Sequence, residues 1–441
     1  MDIAKASESP GHRLQCRRLD RLLPNRKSFV PKSSILMLIT NLTFGGAQRV
    51  FYDHSRLLGQ RHDVTEVMFN LVEGHAFPTG NDLLSLDVPG GGGPLVKAIH
   101  FVQRVRNLTA IKRRLRPVLT ISHLEGAHYV SLLSRMNDKK IFVIHGSLIH
   151  DRALGRIKGF VIRRLLVPLL HNRADRIVTV SRDLVSELVS LGVRRDKIVT
   201  INNFFDPAAI RARSLEPLSS AEQALFGGPP VLVTSGRLTL QKNQAAMIAL
   251  FADLLKRRPA RLLLLGDGEL RVQLIDQAKT LGLRVGEGPD GVSDIVFMGF
   301  QDNPFRLQRH ADLFLLTSSW EGFPMVLGEA MACGLPIVSA DCPTGPREFL
   351  APDTVGHVGR PLRQADTGEY GLLLPIPIQE DVASIRSWVD SLDDLLGDEL
   401  ARRRMTAQSL ARAEDFTLKT TGAQWLSLVD ELLASTPATS A

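Results

Sequence analysis

Residues 35–50 read ILMLITNLTFGGAQRV and contain three structural signals in a fixed order. The apolar run 35–40 is typical of a strand that is buried on both faces of a parallel sheet. A turn with two glycines, Gly45 and Gly46, follows, and a helical pattern begins at Ala47. Because a strand, a glycine turn and a helix form the first unit of a doubly wound α/β sheet, the sequence predicts that fold class.

Further apolar runs continue this pattern through the first half of the chain, and helical patterns such as 95–115 and 182–191 separate most of them. We predict strands at residues 64–69, 118–122, 140–144, 176–180 and 197–201. The alternation of strands and helices predicts one α/β domain over residues 34–205.

A second alternating series follows residues 206–228, a segment rich in proline, serine and glycine that we interpret as a linker. We predict strands at residues 231–235, 261–265, 294–298, 313–317 and 336–340. They indicate a second doubly wound domain over residues 229–415, and residues 416–441 would form a C-terminal helix, at 418–434, and a tail. Two such Rossmann-like domains would leave a cleft between them, lined by the carboxyl ends of both sheets, where ligands bind.

The composition is that of an ordinary globular protein, with 441 residues of which 44% are hydrophobic and 23% charged. It excludes a disordered, collagen-like or low-complexity chain. Three cysteines, Cys16, Cys333 and Cys342, are too few and too scattered for a disulfide framework or a Cys-x-x-Cys metal site. The sequence therefore points to a two-domain protein of a reducing compartment.

The charge is distributed unevenly between the two halves. Residues 1–215 contain 34 Lys+Arg and 17 Asp+Glu, a net charge of +17, whereas residues 216–441 have a net charge of −9. Such an excess suggests that the first half faces nucleic acid, a lipid surface or a phosphorylated substrate. A solvated, arginine-rich surface would explain it equally well.

Residues 1–33 are basic and lack the apolar core of a signal peptide, so we interpret them as a disordered extension or as the result of an over-long predicted start. No stretch approaches the roughly 18 uncharged apolar residues that a membrane-spanning helix needs. We therefore expect a cytoplasmic protein.

The strongest chemical signal is TSSWEGFPMVLGEAMA, residues 317–332, which begins where a predicted strand ends. Pro324 suits the first helical position because its missing N–H costs nothing there. The first N–H groups of such a helix are unsatisfied and attract anions.

A diphosphate docked at this helix start would lie between Glu321 and Glu329, whose carboxylates accept hydrogen bonds from sugar hydroxyls well. The residues of this anion site are Gly322, Phe323, Pro324, Met325 and Val326. Both glutamates could also be ordinary acidic residues that the helix dipole favours.

The first strand of the second domain ends in a glycine turn that carries two cations. Arg237 and Lys242 follow the predicted strand 231–235, on the same side of the sheet as Glu321. An Arg fork and a Lys point charge suit the neutralisation of a diphosphate leaving group. In isolation the two residues could equally belong to a solvated loop.

The chain resembles the family-4 retaining glycosyltransferases, which have the GT-B fold, and the resemblance covers about residues 34–415. Four motifs in the same order carry it: GGAQRV at 45–50, which the family usually writes GGAERV; GRLTLQKN at 236–243; LGDGEL at 265–270; and the glutamates Glu321 and Glu329, separated by seven residues. Gln48 replaces the family's usual glutamate, and we expect little effect because the glycines make the contact. In this family the C-terminal helix usually crosses back toward the first domain, and the predicted helix at 418–434 resembles it.

The resemblance implies a donor site that binds a nucleotide diphosphate sugar. Gly45 and Gly46 would let the backbone of the first domain approach the diphosphate closely, since neither has a Cβ. Arg237 and Lys242 would bind the diphosphate, and Glu329 would bind the ribose hydroxyls.

The resemblance also implies residues at the base and at the reacting sugar. Phe300 lies in a loop that resembles the stretch contacting the base. Glu321 would position the transferred sugar and take part in catalysis, and His145 matches a family histidine near that sugar. The implied reaction moves a hexose from a UDP- or GDP-sugar with retention of configuration, and the leaving phosphate accepts the proton of the acceptor hydroxyl. Because the sequence contains no Asp-x-Asp motif, we expect no metal and no cofactor.

The stretch DCPTGPREFL, residues 341–350, resembles family members that build bacterial surface polysaccharides on lipid carriers. It implies a glycan acceptor linked to polyprenyl diphosphate, at the cytoplasmic face of the inner membrane. Two basic segments with apolar residues near helical spacing, 95–116 and 152–173, would suit peripheral contact with anionic lipid. For 95–116 we expect instead that the apolar face covers the sheet, and for 152–173 both interpretations stay open.

Two other functions fit parts of the sequence. A sugar-nucleotide epimerase of similar fold would convert the donor without any acceptor. A nucleic-acid-binding protein would use the basic first half and bind with a steep salt dependence. Against the latter, the chain has only 6% aromatic residues and no recognised nucleic-acid module. We therefore expect a nucleotide-sugar donor and a glycan acceptor as partners, and no nucleic acid.

Overall fold

A computed structural model describes residues 32–43, 45–71, 80–134, 136–149, 159, 162–354, 362 and 364–434, with the backbone alone at Ile162. Apart from its last two residues, the predicted extension 1–33 lies outside the described residues. The basic segment 152–173 is described at residue 159 and from residue 162 onward. Within the described residues, no helix is long and apolar enough to cross a membrane.

The first sheet explains the uninterrupted apolar runs of the first half. Its strands in the described part of the chain are β1 (Ser34–Ile39), β2 (Asp63–Met68), β3 (Asp82–Ser85), β4 (Leu119–His123), β5 (Lys139–Ile144), β6 (Arg176–Thr179) and β7 (Ile198–Thr200). They are parallel and lie in the order β3-β2-β1-β4-β5-β6-β7. The central strand β1 is buried from its second residue onward, as expected of a parallel strand covered on both faces.

The helices of the first half connect these strands and cover the sheet. Those whose full bounds lie within the described residues are α1 (Gly46–Gly59), α2 (Pro94–Leu115), α3 (Glu125–Leu133), α4 (Val167–His171) and α5 (Asp183–Ser190). A π-helical turn at Ile162–Leu166 precedes α4, and a 3₁₀ turn at Arg195–Lys197 precedes β7.

The second sheet repeats the architecture. Its described strands are β8 (Val231–Ser235), β9 (Arg261–Leu265), β10 (Val285–Gly286), β11 (Ile295–Gly299), β12 (Leu313–Leu316), β13 (Ile337–Ala340), β14 (Asp366–Gly368) and β15 (Gly371–Leu374). The order is β10-β11-β9-β8-β12-β13-β15-β14, and only the edge pair β14–β15 is antiparallel. The carboxyl ends of β8, β9, β11 and β12 therefore meet at one edge of the sheet.

The helices of the second half follow the same alternation. They are α6 (Pro207–Ser214), α7 (Ser220–Gln223), α8 (Gln244–Leu255), α9 (Arg271–Thr280), α10 (Phe305–Gln308), α11 (Met325–Ala332), α12 (Pro346–Leu350), α13 (Val382–Gly397), α14 (Glu399–Ala413) and α15 (Ala423–Ala434). The predicted linker 206–228 thus contains two short helices. The side chain of Asp206 caps α6 by accepting from the N–H of Ala209 at 2.9 Å, and Ser219 and Glu222 form a capping box for α7.

The predicted fold class is confirmed, because both sheets are doubly wound and largely parallel. Each predicted strand is present with ends that differ by at most one residue. The strands β3, β10, β14 and β15 escaped prediction because each has only two to four residues, and β3 and β14 are half-exposed. Strands of this kind leave no long apolar run in the sequence.

The expectation that the apolar face of 95–116 covers the sheet is wrong for its first half. Leu95, Ile99 and Val102 of α2 are 75, 49 and 56% exposed, whereas Leu108 is fully buried. The reason is length: the 22 residues of α2 span about 33 Å, whereas the five residues of β4 span only about 17 Å. A helix this long cannot lie on the sheet throughout.

The last described helix, α15, and the turn after α14 pack on the first domain. The N–H of Phe205 donates to the carbonyl oxygen of Phe416 at 2.9 Å, where the chain leaves α14. Further along, the Trp425 ring of α15 lies 4.2 Å from the His54 ring of α1, and Glu431 pairs with Arg176 at 2.8 Å. These contacts join α15 to the first sheet and its helices.

Candidate functional site

Glu321 lies in the loop between β12 and α11 and is held from three directions. Its carboxylate oxygen Oε1 accepts hydrogen bonds from Lys242 Nζ and from Ser318 Oγ, each at 2.6 Å. Its backbone N–H donates to the carbonyl oxygen of Pro343 at 2.7 Å. The side chain is only 7% exposed, so the Lys242 charge lies where water screens it weakly. The carboxylate is therefore fixed before any ligand binds.

A second loop supports the backbone around Glu321. Thr344 Oγ1 donates to the carbonyl oxygens of Glu321 and Gly322, at 3.0 and 3.1 Å. Gly345, with a φ of +97°, lies so close to Pro324 that a Cβ there would reach its ring at 2.7 Å. The loop following β13 thus fixes both the glutamate and the start of α11.

The helix α11 begins at Met325, one residue later than predicted. Pro324 takes the position before the first helical residue, with a ψ of 92° that is extended rather than helical. Among the described residues, the N–H groups of Met325 and Val326 donate no hydrogen bond, whereas that of Leu327 donates to Pro324 at 2.9 Å. The start of α11 therefore offers unsatisfied donors of the kind that bind anions.

The loop between β8 and α8 carries the two predicted cations and is tied to the Glu321 loop. Gln241 donates through Nε2 to the carbonyl oxygen of Trp320 at 2.9 Å, and Thr317 Oγ1 donates to the carbonyl oxygen of Lys242 at 3.1 Å. Lys242 points inward to Glu321, whereas Arg237 is exposed. The structure brings Lys242 and Glu321 together and gives no contact between Arg237 and either of them in the described part.

Three glycine-containing turns lie side by side at the ends of β8, β9 and β11. Gly236 donates to the carbonyl oxygen of Leu265 at 2.9 Å, and Gly266 donates to that of Gly299 at 2.8 Å. A Cβ on Gly268 would lie 2.6 Å from the Leu238 nitrogen, so this position admits only glycine. Phe300, which directly follows the turn at Gly299, is 57% exposed.

Glu329 lies half-buried on α11, one turn beyond the helix start. Burial raises the pKa of this carboxyl, and the nearby Arg49 opposes the rise. Arg49 belongs to α1 of the first domain, where it also pairs with Asp53 at 2.9 Å. Sequence reasoning missed Arg49, although it stands within the GGAQRV motif. It is the cation that the first domain presents to Glu329.

Gly45 and Gly46 form the start of α1, and the Gly45 carbonyl accepts from the N–H of Arg49 at 3.0 Å. A Cβ on Gly46 would meet none of the described atoms within 4 Å, so the described part of the protein does not require glycine here. The space beside Gly46 is open. It is available for the close approach of a ligand that the resemblance implies.

His145 follows β5 and faces the second domain. A Cβ on Gly322 would overlap the carbonyl oxygen of His145, so the two loops touch across the cleft. Only glycine at position 322 allows this close contact. The ring of His145 accepts or donates a hydrogen bond at Nε2, 2.9 Å from Nδ1 of His123. Burial lowers the pKa of His145 to about 3, so the ring is neutral. Sequence reasoning named His145 as a candidate and did not name His123.

A buried acidic pair joins the two domains next to the Thr344 loop. Asp183 of α5 accepts from the N–H of Gly345 through Oδ2 at 3.5 Å, and its Oδ1 has no hydrogen-bond partner among the described residues. Glu348 of α12 accepts from the N–H of Arg182 at 2.7 Å. Burial, and secondly the Glu348 charge, raise the pKa of Asp183 to about 6.

We expect Asp183→Asn to raise the stability of the protein above pH 6. The folded-state pKa of Asp183, about 6, exceeds the unfolded value of 3.8. The free energy of unfolding therefore falls as the pH rises through this window, and the destabilisation by the ionised carboxylate is complete above pH 6. Removing the charge should raise the free energy of unfolding by up to about 3 kcal/mol at pH 8 and by much less at pH 4.5. Thermal unfolding of both proteins at the two pH values measures it. Asp63→Asn, at an exposed position, is the control, and an equal gain at both pH values would contradict the assignment.

No group of three or more His, Cys, Asp or Glu side chains in the described ranges is arranged to hold a metal ion. The positive charges that act on Glu321 and Glu329 include those of Lys242, Arg49 and Arg213, beside the start of α11. The arrangement can bind an anion between two carboxylates, each beside a cation.

Comparison with known families divides the chain in the same way as the two sheets do. A family model described as Glycosyltransferase Family 4 matches residues 44–209, and one described as Glycosyl transferases group 1 matches residues 217–367. Together the two models cover most of the residues that form the two sheets.

Two relatives and one solved structure match this chain over most of their own length. An uncharacterized glycosyltransferase of Methanocaldococcus jannaschii is 27% identical over 76% of this chain and 85% of its own. The N-acetylgalactosamine-N,N'-diacetylbacillosaminyl-diphospho-undecaprenol 4-alpha-N-acetylgalactosaminyltransferase of Campylobacter jejuni is 23% identical over 86% of this chain and 94% of its own. The crystal structure of Anabaena Alr3699/HepE in complex with UDP and glucose shares the fold, with a TM-score of 0.67, 18% identity, and coverage of 90% of this chain and 100% of that one. The chain belongs to the family 4, or group 1, glycosyltransferases, and it has their GT-B fold.

Proposed function

We propose that this glycosyltransferase moves a hexose from a UDP- or GDP-sugar to a hydroxyl group of a glycan acceptor, with retention of configuration, in polysaccharide biosynthesis. The observation that carries the proposal is the position of Glu321, a buried carboxylate held at 2.6 Å by Lys242 beside the unsatisfied N–H groups of α11. A diphosphate on those N–H groups would have its sugar next to Glu321. Glu329 would accept hydrogen bonds from the ribose.

The charges of the site suit the departure of a nucleoside diphosphate. Lys242, Arg237 and the start of α11 would stabilise the negative charge that develops on the leaving phosphate. The acceptor hydroxyl would attack from the same face of the sugar, and the departing phosphate would take its proton. Since these groups supply positive charge themselves, we propose that the reaction needs no metal, and transfer should persist in EDTA.

The remaining predicted residues complete the donor site. Gly45 and Gly46 would admit the diphosphate to the open space beside α1. Phe300 would contact the base, and His145 would lie at the transferred sugar, since its carbonyl already touches Gly322. The Anabaena neighbour in complex with UDP and glucose supports a UDP-linked donor.

We propose a polyprenyl-diphosphate-linked glycan as the acceptor, met at the cytoplasmic face of the inner membrane. The name of the Campylobacter relative specifies a diphospho-undecaprenol substrate, which supports this class of acceptor. The basic first domain, with its net charge of +17 up to residue 215, would attract the phosphates of such a carrier.

The experiment that tests the reaction is a screen of UDP- and GDP-hexoses by thermal shift, followed by transfer to undecaprenyl-diphosphate-linked sugars. Donors that bind should raise the melting temperature and be consumed only when acceptor is present. Lys242→Ala should abolish the shift, and Lys256→Ala, at a 75% exposed lysine of the same domain, should retain it. If no donor is bound or consumed, the proposal fails. Conversion of the sugar nucleotide without acceptor would instead identify an epimerase.

The exposed apolar residues of α2 predict peripheral binding to anionic membranes. Leu95 and Ile99 stand beside the exposed Lys97, and Leu165 and Leu169 are 61 and 53% exposed on the segment before β6. Apolar insertion and lipid attraction to lysine and arginine act together at such a surface. We expect binding to phosphatidylglycerol vesicles in a sedimentation assay, and at least about 30-fold weaker binding of Leu95→Ser/Ile99→Ser because each of the two buried side chains contributes about 1 kcal/mol or more.

The control for this prediction is Leu400→Ser, which changes a 70% exposed leucine of α14 in the second domain. It should bind vesicles as the unmodified protein does. Equal binding to neutral phosphatidylcholine vesicles, or an unchanged affinity of the α2 variant, would contradict the prediction.

A further inference from the structure

His123 and His145 form an imidazole pair at the carboxyl ends of two neighbouring strands. His123 is the last residue of β4, in register with Val143 of β5, and His145 follows β5 directly. The rings are stacked with centroids 5.0 Å apart and an interplanar angle of 27°. His123 Nδ1 lies 2.9 Å from His145 Nε2, which is the distance of a hydrogen bond.

Both rings are neutral. His123 is fully buried, with the Phe51 ring edge-on at 5.1 Å. Burial lowers the pKa of both histidines, that of His145 to about 3. The titratable groups that act on His123 are other imidazoles, those of His145, His54 and His128, which disfavour rather than stabilise a positive charge. One ring of the pair must therefore donate the hydrogen bond and the other must accept it.

The other nitrogen of His123 decides the direction of this hydrogen bond. Nε2 of His123 is buried and has no partner in the part of the chain that the structure describes. A proton there would be an orphaned buried N–H, which folded proteins avoid. The proton therefore belongs on Nδ1, where it is donated to Nε2 of His145. Since Nε2 of His145 accepts, the proton of His145 lies on its Nδ1.

We propose that His123 is a positioning residue that holds His145 in the Nδ1–H tautomer, as a neutral hydrogen-bond donor for the transferred sugar or the departing phosphate. The inference rests on the proposed function, because it places the donor substrate beside His145. Nδ1 of His145 has no hydrogen-bond partner among the described residues and remains available to a ligand. The backbone beside it is fixed, since the His145 carbonyl packs against Gly322 across the cleft. A donor fixed in tautomer and orientation costs no reorganisation during the reaction.

The tautomer is measured directly by NMR of protein labelled with ¹⁵N-histidine, using long-range ¹H–¹⁵N correlations and His145→Asn to assign the signals. We expect Nδ1 of His145 to be protonated and Nε2 to be unprotonated. His123→Asn should keep this pattern, because the asparagine amide nitrogen stands where Nδ1 stood and can donate. His123→Leu should give a substantial Nε2–H population on His145.

Phe51→Leu is the matched control, because it changes the packing of the same ring without removing the donor. An Nε2–H tautomer in the unmodified protein would overturn the proposal. So would an unchanged tautomer in His123→Leu, or an equal change in Phe51→Leu.

The kinetic readout separates this proposal from the proposed function. With an active donor, His123→Leu should lower kcat by at least about tenfold, with little change in the donor KM, and His123→Asn should restore it. A kcat of His123→Leu equal to that of the unmodified protein would overturn the positioning role. If the unmodified protein turned over no nucleotide sugar, the proposed function would fail, whereas the tautomer would still be decided by NMR.

Discussion

Glu321→Ala is expected to lower the rate of sugar transfer by about 10²- to 10³-fold, the effect of removing one preorganised polar group from an active site. The carboxylate is buried and fixed by Lys242 and Ser318, so its charge acts on the transferred sugar in a poorly screened environment. A group that is held in place before the donor binds contributes most in the transition state. The loss should therefore fall mainly on kcat.

Two further variants separate the charge of Glu321 from its position. Glu321→Gln keeps the shape but cannot neutralise Lys242, so we expect a loss close to that of alanine. Ser318→Ala keeps the charge and removes one of the two hydrogen bonds, which should cost about tenfold or less.

Steady-state kinetics with the best donor, together with melting temperatures, provide the measurement. Glu399→Ala is the control, because Glu399 is 67% exposed on α14 and pairs with Arg403 one helical turn away. If Glu321→Ala retained transfer within about threefold of the unmodified enzyme, Glu321 would have no role in the reaction.

The sequence predicted the sheets well where strands are buried on both faces. The strands β1, β8 and β9 lie in the interior of their sheets, and most of their residues are apolar because both faces are buried. None of the residues of the edge strands β3 and β14 is fully buried, and these few residues resemble loop sequence. The fold could therefore be predicted from the sequence mainly because helices bury the central strands on both faces.

The candidate site was predicted as individual residues and not as contacts. Glu321 and Lys242 lie 79 residues apart, and their 2.6 Å contact depends on β8 and β12 being neighbours in the sheet. The supports from Ser318 and Thr344 use common polar residues, which carry no signal when read in sequence. His123 was missed for the same reason, since only the pairing of β4 with β5 brings it to His145.

The basic excess of the first half is also not purely a surface property. Lys112 of α2 is fully buried, although it stands in the run KRRLR that looks like a solvated helix end. Its Nζ donates to Oδ2 of Asp138 at 2.7 Å, and Thr120 Oγ1 donates to the same oxygen at 2.5 Å. The other carboxylate oxygen accepts from Lys140 at 3.2 Å. This buried ion pair fastens α2 to the amino ends of β4 and β5.

Asp138→Ala is expected to lower the free energy of unfolding by about 3–5 kcal/mol, which is typical of breaking a buried ion pair from one side. The substitution leaves the Lys112 ammonium group buried without a counter-charge. Burial already lowers the pKa of Lys112 to about 8 and the Asp138 charge opposes this, so losing Asp138 lowers the pKa further. The protein would then have to deprotonate Lys112 at neutral pH or unfold locally around α2.

A double-mutant cycle with Lys112→Met and Asp138→Asn tests whether the ion pair itself is responsible. Methionine fills the space of the lysine stem, and asparagine can still accept from Thr120, so the double variant should be less destabilised than the sum of the single variants by about 2 kcal/mol. Urea unfolding followed by circular dichroism gives each free energy. Glu399→Ala, which breaks an exposed ion pair, should change it by less than about 0.5 kcal/mol. Additive single effects would mean that Lys112 and Asp138 contribute separately, through packing rather than through their charges.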